Sequence, residues 1–277
     1  MKIDSISEFG RYEPSKFFKI LIKMGQGCPN FLGQQFAQLV RRYLVRSGSI
    51  PIDIEVEGLN FRFYLSDNAS EYKFAFMPWR FDKKERNFIK QGLRKNSIFI
   101  DIGANVGIYT LTAAKYLGKG GKIISFEPNP EAFERLKYNI SCQLKELMPD
   151  IEILNTGLSS KEEIINLYLN EGNLGEGSIL EANSSQQHAV TIKCYPLLSI
   201  LEEKNIHEID FLKIDIEGAE DRVLLPFLRR ASRQLLPKNI IIENSQQMWN
   251  VNLYELLTSY GYMIAFKTRM NTVFYMA

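Results

Sequence analysis

A chain of 277 residues has room for one or two domains. Its 45% hydrophobic and 24% charged residues are ordinary globular composition, which excludes disorder, collagen and coiled coil. With 34 basic against 32 acidic residues the net charge is +2, so the chain lacks the basic surplus of a general nucleic-acid binder, and no nucleic-acid partner is expected.

Cys28, Cys142 and Cys194 are scattered and odd in number, with no C-x-x-C spacing. That pattern fits reduced thiols in a cytoplasmic protein better than a disulfide framework or a zinc site. The N-terminus, MKIDSISEFG, has no apolar core of a signal peptide. No stretch reaches the roughly 18 apolar residues of a transmembrane segment.

Residues 1–50 hold eight basic and three acidic residues and read as a helical extension. Phe17, Ile20, Leu21 and Met24 recur at helical spacing, as do Phe36, Leu39, Val40, Tyr43 and Leu44. Two basic amphipathic helices suit a cap packed on the main domain with solvated lysines, and they also leave open peripheral contact with a membrane surface or a homodimer interface. Ser47-Gly48-Ser49-Ile50-Pro51 reads as a linker, and residues 51–277 as the main domain. Within 51–80, IDIEVEG and NFRFYLS alternate around Gly58 and predict a β-hairpin. Phe88, Ile89 and Leu93 mark a short helix.

From residue 97 strands alternate with helices. Strands are predicted at 97–102, 122–127, 151–154, 209–215, 239–243, 262–267 and 272–276, with helices at 107–117, after Asn129-Pro130, after Gly218 and at 253–260. This alternation implies an α/β fold with a mostly parallel sheet and helices on both faces, closed by an antiparallel pair. The stretch 160–195 interrupts the alternation with two strand-like pieces around a polar loop and reads as an inserted lid or acceptor element.

The chemistry concentrates at the carboxyl ends of the strands, where open α/β sheets bind ligands. FIDIGANVG ends a buried strand in a glycine turn that opens a helix, with Gly103 and Gly107 four apart. A dinucleotide fingerprint would need a glycine where Asn105 stands, which argues against an NAD-dependent oxidoreductase. Glu127 follows Gly103 by 24 residues, a spacing suited to a carboxylate that accepts both hydroxyls of a ribose. In LKIDIEGAE, Asp215 ends a strand, and Glu217 and Gly218 lead into the next helix, where Glu220 suits the positive end of the dipole. Glu243 ends a neighbouring strand at the same crevice. Asp215, Glu217 and Glu243 also offer hard oxygen ligands, but without a histidine beside them or a ligand spacing no metal is expected.

Together FIDIGANVGIYT, FEPNP, LKIDIEGAE and IIIEN resemble the FkbM family of S-adenosylmethionine-dependent methyltransferases, from about residue 85 to about residue 245. The resemblance implies a Rossmann-like class I fold with a seven-stranded sheet. It also implies S-adenosylmethionine as cofactor and O-methylation of a small-molecule, sugar or glycan hydroxyl. On that reading Asp101 and the Gly103 carbonyl region would meet the cofactor ammonium. The helix opened past Asn105 at Gly107 would meet its carboxylate, and Glu127 its ribose. Pro128, Asn129 and Asn155 would flank the adenine. The base would come from Asp215, Glu217 or Glu243, the only histidines being His188 in the polar loop and His207 in a connection. One departure is Leu198, where members commonly carry an Asp. It bears on the acceptor site and gives some weight to an alternative reading, a catalytically weak or inactive binding module of the same fold.

Overall fold

A computed structural model describes residues 3–48, 50–170, 173–178 and 187–276, except the side chains of 170, 173–178, 187 and 188. The basic N-terminal part forms α1 (Lys16–Gly27) and α2 (Phe31–Arg46). The hairpin follows as β1 (Ile52–Val56) and β2 (Leu59–Phe63). Glu57 and Gly58 both take positive φ, the conformation a two-residue hairpin turn requires. Next come α3 (Ala69–Phe76), capped by the Asn68 side chain, and α4 (Lys83–Gly92). The composition of α3 carries little periodicity, and the sequence reading misses it.

The alternating part supplies β3 (Ile98–Ile102), α5 (Ile108–Leu117), β4 (Lys122–Phe126), α6 (Pro130–Ser141) and β5 (Asp150–Leu154). Asn129 caps α6 by accepting from the Glu131 N–H, with Pro130 at the first position. After the inserted segment come α7 (Leu197–Glu203), β10 (Phe211–Ile214), α8 (Glu220–Arg230), β11 (Asn239–Glu243), α9 (Leu253–Ser259), β12 (Tyr262–Lys267) and β13 (Asn271–Met276). The insertion itself holds β6 (Gly157–Leu158), β7 (Glu163–Asn170), β8 (Asn173–Ser178) and β9 (Gln187–Tyr195).

Seven strands form one sheet in the order β12-β13-β11-β10-β3-β4-β5. β11, β10, β3, β4 and β5 run parallel, and β13 lies antiparallel between β11 and β12. Side chains alternate between the two faces with period two. Ile100, Ile102, Ile124, Ile214 and Ile242 pack under α7, α8 and α9. Phe99, Ile123, Phe211, Ile241 and Val273 face α4 and α5. The same register puts Asp101 and Lys213, which are strand neighbours, on that second face.

The first 50 residues have no core of their own. Ile22, Ala37, Val40 and Leu44 pack in one cluster with the hairpin, α3 and the outer side of α5. Phe17, Ile20 and Met24 lie outside it, on the exposed side of α1. The insertion is a second sheet, β6-β9-β7-β8, whose β8 approaches α3 and α6. Among the described residues no helix is long and apolar enough to cross a membrane.

Candidate active site

The carboxyl ends of β3, β4, β10 and β11 open into a cavity of about 810 Å³. That is ample for a nucleoside cofactor with a small acceptor beside it. Its floor is the turn after β3. Gly103 takes φ +75°, and a Cβ there would lie 1.9 Å from the Asp215 carbonyl oxygen. Gly107 takes φ +92°, and a Cβ there would meet Leu136 Cδ1 at 2.6 Å. Both glycines are therefore demanded by the packing of this turn against the protein itself. Asn105, also in the left-handed region, accepts from Asn68 Nδ2 at 2.9 Å.

Glu127, just past β4, is buried against this turn. One carboxylate oxygen accepts the Asn105 N–H at 2.7 Å and the other accepts the Asn129 N–H at 2.8 Å. Burial pushes its pKa up to about 7 despite those two bonds. Pro128 and Asn129 line the cavity beside it, with Thr156, Gly157 and Leu158 from the next strand end. Asn155 does not join them. Its side-chain NH₂ donates to the carbonyls of Glu127 and Pro128, at 2.8 and 3.2 Å, and the residue stands exposed beyond the cavity wall. Its NH₂ group is spent tying two strand ends together, and the residue does not line the cavity.

Asp101 also sits elsewhere than expected. It is fully buried below the cavity floor, with Thr110 Oγ1 donating to it at 2.6 Å. It does not reach the cavity, and its other oxygen has no hydrogen-bond partner. The cation beside it is the chain's own. Lys213 Nζ lies 3.9 Å from Asp101, 3.3 Å from Asp215 and donates to the Gly103 carbonyl at 2.9 Å. Burial opposes that ammonium, but Asp215 and Asp101 hold its pKa above the usual value. Lys213 thus occupies the place given to a cofactor ammonium beside Asp101 and Gly103. A lysine inside FLKID and an acid inside IFIDI each require a partner when buried, but only the strand register shows that they are each other's.

On the far side of β3 from Glu127 stand Asp215 and Glu217, just past β10, and Glu243, at the end of β11, all three lining the cavity. Their nearest oxygens lie within 4.8 Å of one another, close enough to converge on a divalent cation. Burial and the charges of Asp215 and Glu217 push the Glu243 carboxyl up to about 9. Glu220 braces the turn that carries this cluster. It accepts the N–H groups of Ile216 and Gly218 and the Trp249 indole N–H, a larger role than dipole compensation. Gly218, at φ +94°, packs where a Cβ would meet Met248 at 2.7 Å.

Three further walls close the cavity, and the first two were not evident from the sequence. The 79–84 loop brings Trp79, Arg80 and Asp82, whose carboxylate accepts from Tyr109 Oη at 3.1 Å. The turn between β12 and β13 brings Arg269 and Met270, fastened to α4 by Thr268 and Asn271 donating to Glu85. The inserted sheet contributes Ile165, Leu167, Ile192 and Cys194. His207 is exposed and away from the cavity, while the side chain of His188, and with it Asn173 and Ser178, lies outside the described residues. Leu198, in α7, packs on the core under the sheet and does not line the cavity.

The family description Methyltransferase FkbM domain matches residues 101–265, which span the site from Asp101 through Glu243. The chain belongs to the FkbM methyltransferase family. Its relatives include methyltransferase sdnD of Sordaria araneosa, 26% identical over 57% of this chain and 73% of that one. Hexuronic acid methyltransferase AglP of Haloferax volcanii is 26% identical over 65% of this chain and 70% of its own length. The 31-O-demethyl-FK506 methyltransferase FkbM of Streptomyces tacrolimicus is 27% identical over 57% of this chain and 69% of its own. In this FkbM-family chain the sheet order, with one antiparallel strand inserted next to the edge, is that of a class I methyltransferase.

Proposed function

We propose that the chain is an S-adenosylmethionine-dependent O-methyltransferase acting on a hydroxyl of a sugar, glycan or other small molecule. The observation that carries this reading is the pairing, in one cavity, of a buried carboxylate beside a glycine turn with a separate carboxylate cluster two strands away. At about 4.8 Å per strand, Glu127 and Glu243 are separated by roughly 14 Å across the sheet. That leaves the two ends of the cavity free for different molecules.

The residues present fit the cofactor. Each Glu127 oxygen accepts one N–H and keeps a lone pair, so the pair of ribose hydroxyls would find two acceptors. Pro128, Asn129 and Leu158 would hold the adenine, and the turn through Asn105 and Gly107 the methionyl end. Asp101 is closed off below the floor, so Asp215, which lines the cavity beside Lys213, would be the carboxylate that faces an ammonium. When bound, the cofactor supplies an electrophilic methyl carbon on a sulfonium.

The chain's own tasks are to align the acceptor oxygen, exclude water and take a proton. A hydroxyl is a weak acid, and a positioned base contributes roughly 10²–10⁴-fold. Glu243 holds its proton at neutral pH, so Asp215 and Glu217 are the members of the cluster that would accept one. Lys73, Arg80, Lys83, Lys84 and Arg269 on the rim favour an acceptor that carries negative charge. Leu198 lies off the cavity, so the departure from the family pattern does not favour an inactive scaffold.

The test is methyl transfer from isotopically labelled S-adenosylmethionine to a panel of neutral sugars, uronic acids and short glycans. Label in an acceptor hydroxyl, lost in Glu217→Gln, supports the reading. Cofactor binding without transfer to any hydroxyl, amine or carboxylate acceptor would point to the binding module instead.

A further inference from the structure

Residues 14–52 carry six basic side chains, Lys16, Lys19, Lys23, Arg41, Arg42 and Arg46, and no acidic one. Two of the six are engaged within the chain. Lys19 pairs with Glu13, and Arg41 donates to the Leu65 carbonyl and stacks on Tyr72. Among the described residues the other four form no ion pair and lie exposed.

The same two helices expose seven large apolar side chains, each by more than half: Phe17 64%, Ile20 60% and Met24 57% on α1, and Phe31 70%, Leu32 74%, Leu39 61% and Tyr43 58% on α2. At about 100° per residue, Phe17, Ile20 and Met24 fall within roughly 60° of one another, with Lys16 and Lys23 on the edge of that stripe. Leu32, Leu39 and Tyr43 fall within roughly 40° on α2, with Arg42 and Arg46 on its edge. The two stripes adjoin, because Phe18 stacks on Tyr43 at 5.0 Å and meets Phe17 edge-on at 5.5 Å. The result is an apolar seam between two helices with bases beside it.

The exposure is not that of a loose hairpin. The inner faces are buried, and Gln26 donates to the Ala75 carbonyl and Trp79 Nε1 to the Gly25 carbonyl. A contiguous apolar patch of this kind marks an interaction site. The charge selects the partner. A second copy meeting this face symmetrically would bring bases against bases, whereas an anionic bilayer supplies both an apolar interior for the seam and negative headgroups for the lysines and arginines.

We propose that the α1–α2 seam docks the protein on an anionic membrane surface. The proposal is independent of the cofactor and the acceptor. Because Trp79 is both a cavity wall and the bond to Gly25, the docked face is mechanically tied to the site.

The test is co-sedimentation of the full chain with phosphatidylcholine vesicles, with and without phosphatidylglycerol. Binding is expected to the anionic vesicles and to weaken with salt. Lys23→Gln and Arg42→Gln should each lower the partition coefficient about fivefold. The triple variant Phe17→Ser, Ile20→Ser, Leu39→Ser should lower it at least tenfold, with the melting temperature unchanged within about 2 °C because those side chains already face water. The two single-charge variants keep the test valid if the triple variant is unstable. No binding to anionic vesicles, equal binding to neutral ones, or unaltered binding by these variants would overturn the proposal. So would self-association without vesicles that the triple variant abolishes, since the seam would then join copies of the chain.

Discussion

Arg62 and Lys213 are both buried cations, but one is closed and the other is shared. Arg62, beneath the N-terminal segment, uses all five guanidinium N–H groups on Asp53 and on the carbonyls of Asp4, Ser7 and Glu8. The rings of Tyr12 and Tyr138 lie over its faces. Lys213, at the carboxyl edge of the main sheet, divides one ammonium among the Gly103 carbonyl, Asp215 and Asp101. One Asp101 oxygen stays without a hydrogen bond, and burial with the charges of Asp215 and Glu217 keeps Glu243 protonated at neutral pH. A closed cluster offers nothing to a ligand and serves to hold the N-terminal segment on the hairpin. The open cluster keeps the unsatisfied charge that a binding and proton-transfer site requires.

Breaking the closed cluster should have the larger effect on stability. Arg62→Met leaves Asp53 buried without its cation, and about 3–5 kcal/mol should be lost in urea denaturation. A loss under about 1 kcal/mol would erase the contrast between the two clusters.

The open cluster should instead speak through pH. Burial and neighbouring charge raise Glu243 from 4.5 to about 9, and burial raises Glu127 from 4.5 to about 7. Between the ordinary and the raised value the folded chain holds a proton that the unfolded chain has released, so stability falls as pH rises through that window. Glu127 stops contributing above about pH 7. Glu243 contributes to the fall between about pH 7 and 9, and Glu243→Gln should remove that contribution from a plot of melting temperature against pH. An identical slope in both proteins would mean that Glu243 holds no proton in that range.

The smallest effect is expected at Asn155. Its amide bonds only carbonyls outside the cavity. Asn155→Ala should change cofactor affinity by less than about threefold in a calorimetric titration, and a loss of tenfold or more would return it to the adenine site.

These contrasts also mark how far the sequence could be read. The strands were legible because IFIDI, KIISF, FLKI and NIIIE are short apolar runs, each ending near an acid and a turn. That Glu127, Asp215, Glu217 and Glu243 emerge at one edge of the sheet was legible for the same reason, since a strand end fixes that edge. Asp101 and Asn155 were not, because strand-end polar residues look alike whether they face a cavity or a neighbour. Thr110 and the carbonyls of Glu127 and Pro128 decide between those outcomes. The Asp101–Lys213 pair depends on register between strands 112 residues apart in sequence, which no local pattern carries. In α1, Phe17, Phe18, Ile20, Leu21, Ile22 and Met24 surround most of the helix. Periodicity therefore finds the helix without saying that Ile22 and Gly25 face inward and Phe17 outward. Trp79, Arg80, Phe81 and Asp82 join the site by tertiary packing of the loop before α4, a stretch that carries no chemical signature.

The central claim is that Glu127 holds a nucleoside cofactor at the end of β4. The measurement that tests it most directly is calorimetric titration with S-adenosylmethionine, S-adenosylhomocysteine and NAD, on the native chain and on Glu127→Ala. Micromolar binding of the first two and none of NAD is expected. Glu127→Ala should bind at least about a hundredfold more weakly, the worth of two hydrogen bonds to a charged carboxylate. Binding of S-adenosylmethionine that is unchanged in Glu127→Ala would contradict the account.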